Sequence, residues 1–359
     1  MKVLFYTNIP TPYRLDFFNL LGQHVELTAV FTQHRSENVG WIQGREHIRN
    51  FQAIFLCDEN GGCACGRGLK KIYPNAVRYA LGNWDAIFVT NYYSPTEVLL
   101  IRSLKNRRIP YILEVDGGFI RDEGALKRLL KKYLISGAQY YLSTGAQTDS
   151  YLSYYGADGT RLRRYPLSSV FADEISGSPA GAEEKAVLRK ALGLPDGPLV
   201  LFVGQLIHRK GVDILAEAAG QLPDVRFCVV GNGDASVYKA PGNVLFAGQK
   251  SKAELAQYYR AADLFVLPTR EDIWGLVVVE AAAKGLPVIT TDRCIAGLEM
   301  LDQRYIIPAA DAASLTRKAD ELLSDPEALR TAAEKSLAAA RRYTIETMAE
   351  THLAFLSEL

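Results

Sequence analysis

Long apolar runs and paired cysteines are missing from this sequence, and each absence excludes something. No stretch of about 18 consecutive apolar residues occurs, so no membrane-crossing helix is expected. The opening MKVLFYTNIPTPYR has one Lys ahead of a short apolar run and no small-residue cleavage site. It reads as a first strand rather than a secretory signal, which points to the cytoplasm. The five cysteines, Cys57, Cys63, Cys65, Cys228 and Cys294, are odd in number and lack Cys-x-x-Cys spacing. Three fall in LCDENGGCACGRG, where a metal could sit but no matching ligand set follows, so reduced thiols in a glycine-rich loop are expected.

What is present is ordinary for a globular protein: 359 residues, 48% hydrophobic and 23% charged, enough for two domains with a core each. Charge is unevenly spread. Residues 1–170 hold 21 Lys and Arg against 14 Asp and Glu, and the remainder 20 against 26, joining a half at +7 to a half at −6. The division points to an anionic partner for the first half, a membrane surface or a phosphorylated acceptor. A net charge of +1 gives no sign of a nucleic-acid partner.

Short β-rich runs (KVLFYT, VELTAVF, DAIFVT, PYILEV, YYLSTG) alternate with helical patterns such as SPTEVLLIRSLKNR. Such alternation implies a parallel sheet flanked by helices, an α/β fold. At 171–187 the chain turns small and polar, FADEISGSPAGAEEKAV, which reads as a linker. A second series follows: PLVLFVG, VRFCVVG, VLFAG, LFVLPT, PVITTD and YIIP. Ligands of open α/β sheets bind at the carboxyl ends of the strands, so candidate residues are sought there. The last segment, IETMAETHLAFLSEL, is amphipathic and would cap the second domain.

Three strand-end stretches stand out. In LFVGQLIHRKGVDILAEA, His208, Arg209 and Lys210 precede a helix start, a setting for a nucleotide diphosphate or simply a basic surface loop. VVGNGDA has Gly-x-Gly at Gly231, but Ser236 stands where a dinucleotide fingerprint needs its third glycine. A tight turn bringing backbone near a ligand is the better reading. In REDIWGLVVVEAAAKGLPVITTD, Gly275 opens a helix whose first amides, at Gly275 and Leu276, suit phosphate oxygens. Glu280 then points a carboxylate into apolar surroundings, which requires hydroxyl or amide donors such as a ribose supplies, or a salt bridge within the domain.

In that order, GQLIHRKGVD, VVGNGD, FAGQKSKAELAQYYRAADLFVLPT and DIWGLVVVEAAAKGLPVITTD resemble the donor half of retaining GT-B glycosyltransferases of the large family 4. Over the first half the likeness is architectural, plus the TPYR and EVDGG loops, which are similar to those of bacterial polysaccharide and lipopolysaccharide glycosyltransferases. The resemblance implies two Rossmann-like domains facing across a cleft. Residues 1–170 would bind the acceptor and 188–344 a nucleotide sugar, with 345–359 crossing back. It implies transfer of a hexose or N-acetylhexosamine from a nucleotide-diphosphate sugar, UDP-linked by expectation, to a glycan or lipid-linked acceptor of the cell envelope or exopolysaccharide. Retention of configuration follows from the same likeness.

Position by position, Lys210 with Arg209 matches the cations on the diphosphate, while Gln205 stands where the family commonly has an arginine. The paired acids fall on Asp272, the sugar contact, and Glu280, the ribose ligand. Backbone at Gln249 and Lys250 matches the base contact, and Trp274, Gly275, Leu276 and Gly231 complete the donor site. No metal is implied, since no Asp-x-Asp pair occurs, and no cofactor is expected, the nucleotide sugar being a substrate. In the first domain Tyr13, Arg14, Tyr92, Tyr93 and Glu114 are candidate acceptor contacts, with Asp116 a catalytic candidate. Loop stabilisation by Tyr and Arg, and turn formation by Asp116 before two glycines, are their ordinary alternatives. The family's first-domain histidine has no counterpart, because no His stands in 48–207.

GALKRLLKKYLI sets Leu126, Leu129, Leu130, Tyr133 and Leu134 opposite Lys127, Arg128, Lys131 and Lys132. It reads either as a core-packed helix with a solvated basic face or as one lying on the anionic inner face of the cytoplasmic membrane. A nucleotide-sugar epimerase of the same architecture and a non-catalytic nucleotide-sugar binder remain alternatives to the transferase. An NAD enzyme is the weakest reading.

Overall fold

Buried strands set the plan of each half. KVLFYT, with every residue after Lys2 buried, cannot be an edge strand with one wet face; it forms β1 (Lys2–Thr7) near the centre of a parallel sheet. The computed structural model describes residues 1–33, 47–58 and 72–359; Cys63 and Cys65 lie outside these. After β1 come α1 (Pro12–Leu21), β2 (Glu26–Phe31), β3 (Gln52–Phe55), α2 (Ala76–Tyr79), β4 (Ala86–Val89), α3 (Pro95–Arg107) and β5 (Ile112–Val115). Then follow α4 (Ala125–Ile135), β6 (Tyr140–Ser143), α5 (Ala146–Tyr154) and β7 (Leu162–Arg164). All described pairings are parallel, in the order β3-β2-β1-β4-β5-β6-β7. Strand order therefore reverses between β1 and β4, so the loops after them splay apart and leave a crevice.

Local chemistry explains the element ends. Pro95 stands in the first turn of α3, and the Glu97 carboxylate accepts from the Ser94 amide at 3.1 Å, a capping box. The helix stops at Arg108, in the left-handed region at φ 57°.

The second series gives α6 (Ala182–Leu192), β8 (Leu199–Val203), α7 (Val212–Gln221), β9 (Arg226–Val230), β10 (Val244–Gly248), α8 (Lys252–Ala261) and β11 (Leu264–Leu267). It continues through α9 (Leu276–Ala283), β12 (Val288–Thr291), α10 (Ile295–Met300), β13 (Ile306–Ile307), α11 (Ala312–Ser324) and α12 (Pro326–Ala340). Its sheet is ordered β10-β9-β8-β11-β12-β13, again parallel, with the reversal between β8 and β11.

Two compact units result: Met1–Leu167 with Ile345–Leu359, and Ser168–Thr344. One expectation changes. Residues 171–187 are not a spacer: Glu184 pairs with Arg260 and Lys185 with Asp263, so the segment is bound into the second unit. Of the two expectations for the last segment, capping the second domain or crossing back to the first, the structure has the second: α13 (Ile345–Ser357) packs on α1 in the first unit. Its buried residues Ile345, Met348, Ala349, His352, Phe355 and Leu356 repeat at helical spacing, the face that docking requires.

Candidate functional site

In the second unit the crevice loops after β8 and β11 are pressed together. Gly211 adopts φ 74°, and a side chain there would put its Cβ 2.0 Å from the Pro268 carbonyl oxygen. The Arg209 carbonyl accepts from the Arg270 amide at 2.8 Å and the Thr269 hydroxyl at 2.9 Å. Arg270 in turn bonds the Asp213 carboxylate through both guanidinium nitrogens, at 2.8 and 2.7 Å.

This stitching brings Lys210 onto Asp272, 62 residues away, in a bonded ion pair. Both side chains are largely withdrawn from solvent, and Asp272 is also fixed through its amide, which donates to the Arg293 carbonyl at 2.7 Å. Residues expected to meet diphosphate and sugar separately thus hold each other. Arg209 is exposed and donates to the Glu271 carbonyl at 2.8 Å. Gln205 opens the loop and is partly exposed.

Gly275, at φ 101°, begins α9 with no side-chain cap, so the first amides of that helix keep their capacity for an anion. A Cβ at Gly275 would stand 2.6 Å from the Cys294 Sγ. Burial, then the Asp272 charge, push the Cys294 thiol up to about 12, so it is a packing group and not a nucleophile. Trp274 is buried with its ring 5.8 Å from that of Tyr343, and its Nε1–H has no hydrogen-bond partner among the described residues.

Glu280 meets hydroxyls, not a cation. Ser169 donates to Oε1 at 2.7 Å and Tyr259 to Oε2 at 3.1 Å. Burial, then the adjacent Glu280 charge, hold the Tyr259 hydroxyl well above its ordinary value, so it stays a donor. The carboxylate lines a pocket with Val170, Glu174, Lys252 and Leu255. At Gly231 the backbone packs closely on the neighbouring strand-end loop: a Cβ there would lie 1.8 Å from the Gly204 oxygen. Gln249 is exposed, and the Lys250 ammonium lies 5.9 Å over the Tyr258 ring.

In the first unit the candidates assemble around one buried guanidinium. Arg14 Nη1 donates to Glu114 Oε1 at 2.5 Å and Nη2 to Asp116 Oδ1 at 3.2 Å. The Tyr165 hydroxyl donates to the same Asp116 oxygen at 2.7 Å. His352 completes the set, with Nε2 3.1 Å from Glu114 Oε2 and Nδ1 2.8 Å from the Met348 carbonyl. Arg14 and Glu114, expected to contact an acceptor, are therefore sealed in and serve to position Asp116, whose side chain keeps 32% of its surface exposed.

Burial alone would raise the Glu114 carboxyl, but Arg14 and then the His352 bond overcome it and set it at about 2. Burial raises the Asp116 carboxyl, opposed by Arg14 and reinforced by the Glu114 charge. Tyr13 is half-buried beside it, its hydroxyl pushed up to about 12 by burial and then by Asp116. Tyr92 bonds the Tyr151 hydroxyl at 2.5 Å, while Tyr93 is exposed and accepts from Asn8 at 3.3 Å.

Sequence reasoning missed His352, Tyr165, Ser169 and Tyr259. A signal existed for the first: a histidine in the middle of an otherwise apolar helical stripe needs a buried partner.

Residues 184–338 match the family described as Glycosyl transferases group 1. A D-inositol 3-phosphate glycosyltransferase of Mycobacterium sp. (strain KMS) is 32% identical over 211 residues, covering 54% of this chain and 46% of that protein. TuaC of Bacillus subtilis, named for teichuronic acid biosynthesis, is 30% identical over 238 residues, covering 62% and 58%. The chain spans about half the length of the curated relatives it matches. Among solved structures, sucrose-phosphate synthase from Thermosynechococcus elongatus matches with TM-score 0.77 at 20% identity, over 100% of this chain and 98% of that one. Anabaena HepE in complex with UDP matches with TM-score 0.78 at 16% identity over 100% of both. The fold, two α/β units with parallel sheets, is that of GT-B glycosyltransferase structures.

Proposed function

We propose that this chain is a retaining glycosyltransferase of family 4 that moves a hexose or N-acetylhexosamine from a UDP-sugar to a glycan or lipid-linked acceptor of the cell envelope. The observation that carries the reading is the meeting of Lys210 and Asp272 at the strand reversal of the second sheet, beside the uncapped start of α9. In this scheme the incoming diphosphate takes Lys210 from Asp272, with Arg209 and the amides of Gly275 and Leu276 stabilising the negative charge that grows as the sugar departs. Asp272, released, meets the sugar hydroxyls, and Glu280 the ribose. The acceptor hydroxyl attacks the anomeric carbon from the face the diphosphate leaves and gives its proton to the departing phosphate oxygen, and Asp116, held by Arg14 and Tyr165, is the first unit's candidate for binding the acceptor.

Support for a UDP-sugar comes from HepE, solved with UDP-glucose. Support for an envelope acceptor comes from the name of TuaC, a glycosyltransferase of teichuronic acid biosynthesis. No metal has a part in the scheme, so transfer should survive chelators.

A thermal-shift screen of UDP-, GDP- and ADP-sugars tests the donor site. A ligand at about 100 times its Kd adds about 2.7 kcal/mol, and Glu280→Ala or Lys210→Ala should abolish the shift of the preferred donor. A full shift in both variants would remove the site. Products compared with and without acceptor then separate transfer from epimerisation, and binding without nucleotide release would reduce the chain to a binder.

A further inference from the structure

The helix α4 presents its leucines to solvent. Leu126 is 83% exposed, Leu129 63%, Leu130 49% and Tyr133 42%. At spacings of three and four residues these lie along one side of the helix. The helix is nevertheless firmly placed from the opposite side. Leu134 and Ile135 are buried, Lys131 Nζ bonds Glu123 Oε2 at 2.9 Å, and its ammonium lies 4.8 Å over the Tyr155 ring. Of the two readings the sequence left open, a core-packed leucine face is therefore not what forms.

We infer that this face of α4 docks on an anionic lipid bilayer. Charge selects that occupant. Residues 125–135 contain Lys127, Arg128, Lys131 and Lys132 and no acid; Glu123, just before the helix, pairs with Lys131 at 2.9 Å and reaches Lys127 at 3.7 Å, and α4 of a second copy would bring no acid to the cations that flank the leucines. An anionic headgroup layer instead receives the exposed Lys127 and Lys132, one on each flank of that face, while the leucines and Tyr133 enter the acyl boundary. Placement agrees: α4 follows the loop carrying Asp116 at the carboxyl end of β5, the end of the sheet that also bears Tyr92 and Tyr93. The first unit would then present its acceptor loops beside the bilayer, which deepens the lipid-linked acceptor of the proposed function.

Flotation of the full chain with vesicles of phosphatidylcholine, or of equal parts phosphatidylcholine and phosphatidylglycerol, tests the surface without any turnover, so its outcome is independent of the transferase reading. Binding to the anionic vesicles alone is expected, weakening with salt. Leu126→Glu with Leu129→Glu, and separately Lys127→Glu with Lys132→Glu, should each lower the partition at least about tenfold. Both pairs are exposed, and an unchanged thermal midpoint confirms that the fold persists. Absence of wild-type flotation, wild-type partition by the leucine variant, or a concentration-dependent dimer that the leucine variant abolishes would each overturn the inference.

Discussion

His352 Nε2 lies 3.1 Å from Glu114 Oε2, both side chains fully buried and 238 residues apart in sequence. With Arg14 on the other carboxylate oxygen, and Asp116 on the same guanidinium, Glu114 is held in a buried polar network. A buried carboxylate so held makes the first unit sensitive to acid.

The Glu114 carboxyl sits at about 2 in the folded chain instead of the ordinary 4.5. A depressed folded value means stabilisation that is complete above 4.5 and lost as pH falls from there through about 2. The amount is on the order of 3 kcal/mol. Urea unfolding of the wild type should weaken across that window. Glu114→Gln, already destabilised at neutral pH because the buried Arg14 keeps only Asp116 as a charged partner, should lack that part of the slope; an equal slope in the variant would refute the assignment.

Lys210 and Asp272 separate stability from chemistry. Lys210→Met leaves the Asp272 carboxylate poorly solvated and should cost about 2 kcal/mol, whereas Lys210→Met with Asp272→Asn should recover most of it. Transfer should fall at least about a hundredfold in both, because the diphosphate has lost its cation. Denaturant midpoints and single-turnover rates check this, and transfer recovering along with stability would make the pair structural only.

Gly275→Ala faces two obstacles, φ 101° and the Cys294 Sγ 2.6 Å from the new Cβ. A loss of about 2 kcal/mol is expected. Adding Cys294→Ala should relieve the contact but not the backbone strain, returning part of the stability in a thermal melt. Full recovery would show that the left-handed conformation matters little.

Strands and crevice loops were legible because parallel strands are apolar throughout and glycines punctuate their ends. Glu280 was legible as a carboxylate in need of donors, yet Ser169 and Tyr259, which answer the need, sit 111 and 21 residues away. Nothing local in sequence marks such partners. Lys210 and Asp272 were both found, but their mutual bond depends on the strand order that makes β8 and β11 neighbours, a non-local property. For α4 the periodicity was plain, and only the packing of the rest of the unit determines which side it turns outward.

The return of α13 to the first unit has a consequence for synthesis. On the ribosome, residues 1–167 emerge with Arg14 and Glu114 made but His352 and the apolar stripe around it still unmade, and the whole second unit is translated in between. The first unit must wait, its α1 face uncovered, while Ser168–Thr344 completes its own core. The two units should therefore mature in the reverse of their order in the sequence, with the early half the one that depends on protection from aggregation until the last helix arrives.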